Sequence, residues 1–166
     1  MERLRVIVGN IVSDEILKGH DLIVNPTNPY MLSGGGVCGA IFEKAGKDEL
    51  EEYTQQEYDT NMKIGEVRIT PGFNLGMDIM FVQGPKEWEV SNPIEVLIDT
   101  YEKMLENIYV HDYKNVLIPS LGTGIYGFKH EDVGHKVYNT LKDFLDNHNI
   151  NIDLVIFDLD SSKYYK

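Results

Sequence analysis

The sequence predicts an α/β fold, a mixed and largely parallel sheet covered by helices on both faces. Three observations lead there. Strand-like and helix-like segments alternate along the chain. Several strand segments, such as Leu22-Ile23-Val24 and Val116-Leu117-Ile118, are continuous apolar runs, as strands buried on both faces must be. The 166 residues suit one hydrophobic core, so the chain is read as a single domain spanning 1–166.

Leu4 to Val8 reads as a strand, apolar and stopped by Gly9-Asn10. Ser13 to Lys18 predicts a helical turn capped by Ser13 or Asp14. A second strand, Asp21 to Asn25, is ended by Pro26. Pro26 to Gly36 is loop, with Pro29 and three successive glycines. Val37, Ile41, Phe42, Ala45 and Leu50 recur at helical spacing, and the acidic run Glu49 to Asp59 continues that helix or forms a second one. Glu66 to Thr70 and Asp78 to Gln83 are strands stopped by Pro71-Gly72 and Gly84-Pro85. Pro93 fits the first turn of a helix with Ile94, Leu97, Ile98, Tyr101, Leu105 and Ile108 as its apolar stripe. Asn115 to Pro119 is a buried strand, Ser120 to Lys129 a loop, and His130 to His148 a helix turning Val133, Val137, Leu141 and Leu145 inward. Leu154 to Leu159 is the last strand, with Phe157 at its end.

A formal charge of −12 argues against nucleic acid as a partner, because no Lys/Arg cluster offsets backbone repulsion. No apolar run reaches the ~20 residues of a membrane span. The short run Val6-Ile7-Val8 lacks the features of a secretion signal, and the one cysteine, Cys38, suits a reducing compartment, so a cytoplasmic location is expected. The histidines suggest no metal site, since His130 and His135 are five apart and do not share a helix face.

Two loops stand out, and both follow buried strands, which places them at one end of the sheet, where open α/β sheets bind ligands. In the first, Gly34-Gly35-Gly36 precede a helix, so the N–H groups of Gly35, Gly36 and Val37 suit a phosphate; a flexible connector is the plainer alternative. Asn25 at the strand end suits pinning of the loop backbone, and the Asn28 amide suits a pair of ribose hydroxyls. Cys38 sits near a helix start that lowers a thiol pKa, although packing is the simpler role. In the second loop, Gly122, Gly124 and Gly127 imitate a dinucleotide fingerprint, yet they lie late in the chain without the acidic residue expected about 20 positions on. A phosphate-wrapping turn with Tyr126 beside it fits better. Phe157 is either a core aromatic or a platform for a base.

In order along the chain, these segments resemble the macro domain family. Gly9-Asn10-Ile11 is similar to its G-D-I opening and Val24-Asn25-Pro26-Thr27-Asn28 to its V-N-A-A-N. Gly34 to Ile41 is similar to G-G-G-V-x-G-A-I, Pro119 to Gly127 to P-x-x-x-x-G-I-[YF]-G, and Val155-Ile156-Phe157-Asp158 to the last strand. The resemblance implies a three-layer α/β/α sandwich with an ADP-ribose cleft and no cofactor. It implies that Asn10 and Ile11 contact the adenine, with Phe157 against it. Thr123, Gly124, Ile125 and Tyr126 would wrap the diphosphate with Val37 opposite, and Asn25, Cys38, Ser120 and Gly122 complete the ligand-binding set. Asn28, Gly35 and Gly36 would face the distal ribose, as the catalytic group.

Three positions depart from the family pattern. Asn10 replaces an aspartate, Pro26-Thr27 a pair of alanines, and Cys38 an aspartate frequent in the hydrolytic branch. The expected function is binding of ADP-ribose, with hydrolysis of its esters, on acidic side chains of ADP-ribosylated protein or in O-acetyl-ADP-ribose. A non-catalytic reader of ADP-ribose is the alternative, and an oxidoreductase using the glycines around Gly122 a third.

Overall fold

Strands β1 (Leu4–Val8), β2 (Leu22–Pro26), β3 (Val67–Thr70), β4 (Asp78–Val82), β5 (Asn115–Pro119) and β6 (Asn151–Ile156) form a six-stranded sheet in a computed structural model, which describes residues 3–166. Their order is β1-β6-β5-β2-β4-β3. Every pairing is parallel except β3 with β4. The mixed, largely parallel sheet expected from the apolar runs is therefore present.

Helices α1 (Asp14–Leu17), α2 (Gly36–Ala45), α3 (Lys47–Glu57), α4 (Pro93–Val110), α5 (His130–Asp146) and α6 (Leu159–Ser162) surround it. Side chains alternate across a strand, so each strand feeds two cores. Leu22 and Val24 join Leu97 and Tyr101 of α4 and Val133 and Val137 of α5. Ile23 joins Leu17 of α1, Ile41 and Phe42 of α2 and Leu50 of α3 on the opposite face. The result is a three-layer α/β/α sandwich.

Three local expectations are corrected, and the open choice for the acidic run is settled in favour of a second helix. Ser13 occupies the N-cap position of α1, but neither its side chain nor that of Asp14 caps the helix. The acidic run is a separate helix, α3, because Gly46 turns the chain at φ 110°. Helix α5 ends at Asp146 rather than His148. The last strand spans Asn151–Ile156, three residues earlier than its apolar composition suggests. Phe157 lies beyond it, 83% exposed, and Asp158 starts α6 by accepting from the Ser161 N–H.

Candidate functional site

Strands β2 and β5 are parallel neighbours, so the loops following them leave the same end of the sheet. Between these loops and the end of β6 lies an open cleft of about 350 Å³.

The first wall is built by Asn28 and the glycines. The Asn28 side chain folds its own loop: Nδ2 donates to the Leu32 carbonyl at 2.6 Å, and Oδ1 accepts from the N–H groups of Tyr30 and Leu32 at 3.1 and 3.3 Å. One amide hydrogen remains uncommitted, and the residue lines the cleft. Gly35, Gly36, Val37 and Cys38 line it too. Helix α2 starts there without a side-chain cap and without an acidic residue in its first turn. Its first-turn N–H groups have no intrahelical acceptors and add to the positive end of the helix dipole, an arrangement suited to an anion. The loop is pressed tightly onto this helix start. A Cβ on Gly39 would stand 2.2 Å from the Gly34 carbonyl oxygen, so only glycine fits.

The second wall is a wound turn. The Gly127 N–H donates to the Gly124 carbonyl at 3.1 Å and the Phe128 N–H to the Gly122 carbonyl at 3.0 Å. The buried Phe128 ring anchors it below, and the Leu121 N–H donates to the Tyr101 hydroxyl at 2.7 Å. Ser120, Gly122, Thr123, Gly124, Ile125 and Tyr126 all line the cleft. Tyr126 spans the two walls: its hydroxyl lies 3.5 Å from the Thr27 carbonyl and 3.4 Å from Gln83 Nε2, while Lys86 Nζ sits 5.7 Å from its ring centre. No helix opens directly from this glycine set, because α5 begins at His130, three residues past Gly127. Phe157 forms the lip at the β6 end.

Three candidates lie outside the cleft lining. Asn10 is exposed, its Oδ1 accepting from the Val12 N–H at 3.1 Å; it stands next to the lip, since the Gly9 N–H donates to the Ile156 carbonyl. Ile11 is buried in the core beside α2. Asn25 does not pin the loop. It is fully buried on the α2 face, and neither Nδ2 nor Oδ1 has a hydrogen-bond partner. The Cys38 thiol lies beside it. Burial pushes that thiol up, outweighing the nearby polar groups of Gly34, Asn25 and Asn28 that favour the thiolate. The helix start therefore does not activate Cys38, contrary to what its position suggests.

Among the described residues, no Asp, Glu, Lys or Arg lines the cleft, and no group of three or more His, Cys, Asp or Glu is placed to hold a metal. No helix is long and apolar enough to cross a membrane among these residues. Sequence reasoning missed Thr27, Gly34, Gly84 and Leu121 among the lining residues, and also the one titratable imidazole there, His130. Its Nδ1 lies 2.6 Å from the buried Tyr165 hydroxyl, which lies 2.7 Å from Ser120 Oγ.

A sequence profile described as Macro domain matches residues 24–137. A macro domain-containing protein of Methanosarcina mazei is 33% identical over 171 residues, covering 100% of this chain and 87% of its own length. An O-acetyl-ADP-ribose deacetylase of Escherichia fergusonii is 30% identical over 169 residues, covering 98% of this chain and 93% of its own. Among solved structures, the Oceanobacillus iheyensis macrodomain with ADP superposes with a TM-score of 0.85 at 30% identity, covering 98% of this chain and 87% of that one. A mutant of that macrodomain with ADPR gives the same TM-score, 0.85, at 28% identity. With the sheet order, the two glycine loops and the uncapped helix start in agreement, the chain belongs to the macro domain family.

Proposed function

We propose that the cleft binds ADP-ribose and hydrolyses ADP-ribosyl esters, either O-acetyl-ADP-ribose or ADP-ribosylated carboxylates on proteins. The observation that carries this reading is an anion site without cationic side chains. On a chain of formal charge −12, uncharged lining residues and backbone N–H groups at the α2 start and in the Gly122–Gly127 turn face a cleft of about 350 Å³. Such donors suit a diphosphate. Phe157 at the lip suits the adenine, and the free hydrogen of the Asn28 amide suits the distal ribose, next to Gly35 and Gly36. The relatives named O-acetyl-ADP-ribose deacetylase and the neighbours solved with ADP or ADPR support the ligand and the reaction class.

No carboxylate lines the cleft among the described residues. In this reading a phosphate oxygen of the substrate takes the proton of the attacking water, and the protein acts by orientation. One water adds across the ester, giving free ADP-ribose and a carboxylic acid. The test is release of ADP-ribose from an ester-linked substrate by wild type and Asn28→Ala. Loss of turnover with binding retained supports the mechanism; equal rates refute it.

The buried, un-ionised Cys38 thiol favours the second reading, a binder without turnover. It predicts ADP-ribose affinity with no product released by either protein.

A further inference from the structure

Behind the second wall, three hydroxyls and an imidazole from three segments, the Ser120–Lys129 loop, the start of α5 and the C-terminal Tyr165, form a linear chain. Thr123 Oγ1 lies 3.0 Å from Ser120 Oγ, Ser120 Oγ lies 2.7 Å from the Tyr165 hydroxyl, and that hydroxyl lies 2.6 Å from His130 Nδ1. Tyr165 is 3% exposed, whereas Ser120, Thr123 and His130 line the cleft. The His130 and Tyr165 rings also meet edge to face at 5.7 Å. The charged group acting on His130 is Asp158, from the turn before α6; Glu131 and Asp132 on its own helix are exposed.

We propose that His130 is a positioning residue that sets, through Tyr165 and Ser120, whether this wall offers a hydrogen-bond donor to the ligand's diphosphate. The inference rests on the ADP-ribose reading above. Three links join the four groups, and their hydroxyls supply three hydrogens. The buried Tyr101 hydroxyl, which accepts from the Leu121 N–H, can place its own hydrogen on the second lone pair of Ser120 Oγ in either state and leaves this count unchanged. When Nδ1 is an acceptor, each link consumes one hydroxyl hydrogen, all pointing toward His130, and the cleft sees only lone pairs from Ser120 and Thr123. Lone pairs repel a phosphate oxygen. When His130 takes one proton from solvent on Nδ1, that proton fills the last link. The Tyr165 hydrogen then turns to Ser120, and one hydroxyl hydrogen of the Ser120–Thr123 pair is released to donate into the cleft.

Of the neutral tautomers, the one with hydrogen on Nε2 matches the best neutral acceptor in the chain, an imidazole nitrogen, to its most acidic hydroxyl, the phenol. Burial pulls the imidazole below its ordinary value, with Asp158 opposing, so the neutral form holds at pH 7. The phenol is pushed up to about 12 by burial and stays protonated throughout.

The test is calorimetric titration with ADP-ribose between about pH 5 and 8, on wild type, Tyr165→Phe and His130→Gln. ADP-ribose has no group that titrates in this range. Wild type is expected to bind about tenfold more tightly at the acid end, the worth of one hydrogen bond to a charged acceptor, with net proton uptake on binding. His130→Gln should lose this dependence. Tyr165→Phe keeps the imidazole charge but cuts the chain, so most of the dependence should disappear there too. A flat wild-type profile overturns the inference, and so does a Tyr165→Phe profile as steep as wild type, which would leave only the charge. A readout without ligand separates this inference from the function it rests on. Nitrogen NMR of the free protein at high pH should show His130 as the Nε2–H tautomer, and an Nδ1–H tautomer refutes the relay. Absence of ADP-ribose binding at every pH refutes the ligand instead.

Discussion

Gly122→Ala should unfold the protein's second wall at a cost large enough to read in equilibrium denaturation. Gly122 holds a left-handed conformation at φ 79°, and a Cβ there would stand 2.8 Å from Phe128 Cδ2 and 3.5 Å from Leu97 Cδ1. A non-glycine residue in that conformation costs about 1–2 kcal/mol. Overpacking against a buried ring adds about 1–3 kcal/mol. Phe128 cannot swing aside freely, because its N–H is bonded to the Gly122 carbonyl and its ring is 4% exposed. A loss of about 3 kcal/mol follows, a large share of the ~5–15 kcal/mol typical of a domain. In urea, with a slope of about 1–3 kcal/mol per molar, the midpoint should fall by about 1–3 M. Gly124→Ala is the control, since a Cβ there meets nothing within 4 Å and its φ is not left-handed. Its stability should stay within about 0.5 kcal/mol of wild type. Trp88, the one tryptophan, packs against Gly127 and reports the loop by fluorescence, with circular dichroism reporting the whole fold. Equal midpoints for Gly122→Ala and wild type would refute the reasoning, as would a Gly124→Ala loss of the same size.

Three further outcomes are expected. Phe157→Ala removes a ring that is 83% exposed, so stability should hold while ADP-ribose affinity falls about tenfold, the loss of one stacked base; calorimetry beside urea unfolding reads both. Asp153 is held by Arg5 through two hydrogen bonds of 2.9 and 2.8 Å and by His20 at 2.7 Å, and these interactions keep its carboxyl below the usual range despite burial. A depressed folded-state value stabilises the fold above the unfolded value of about 3.9 and loses that contribution as pH falls through the folded value; Asp153→Asn should flatten this acid limb in a melting series. Because the cleft lining carries no Lys or Arg and the chain is strongly acidic, added salt should not weaken ADP-ribose binding, unlike a site built on cationic side chains. Titrations at low and high salt check this.

The sheet was legible because burial on both faces leaves an unbroken apolar signature, as in Leu22-Ile23-Val24 and Val116-Leu117-Ile118. Adjacency of the two glycine loops followed from the rule that parallel strands share a loop end. The end of β6 was not legible: Val155-Ile156-Phe157 reads as one apolar run, and nothing in side-chain chemistry marks where pairing with β1 stops at Val8. Asn25 misled for a related reason. Its residue type suggests a loop pin, but strand alternation turns it into the α2 layer, where its amide goes unpartnered. Contacts between distant segments left no local trace at all. Ser120 and His130 meet Tyr165 across 45 and 35 residues, so the polar chain behind the wall emerges only from coordinates.

The most direct test of the account is calorimetric titration with ADP-ribose, with NAD and AMP as controls. The account predicts one site of micromolar affinity, about −8 kcal/mol, with NAD and AMP much weaker. No heat from ADP-ribose, or equal affinity for NAD, would contradict the assignment of the cleft.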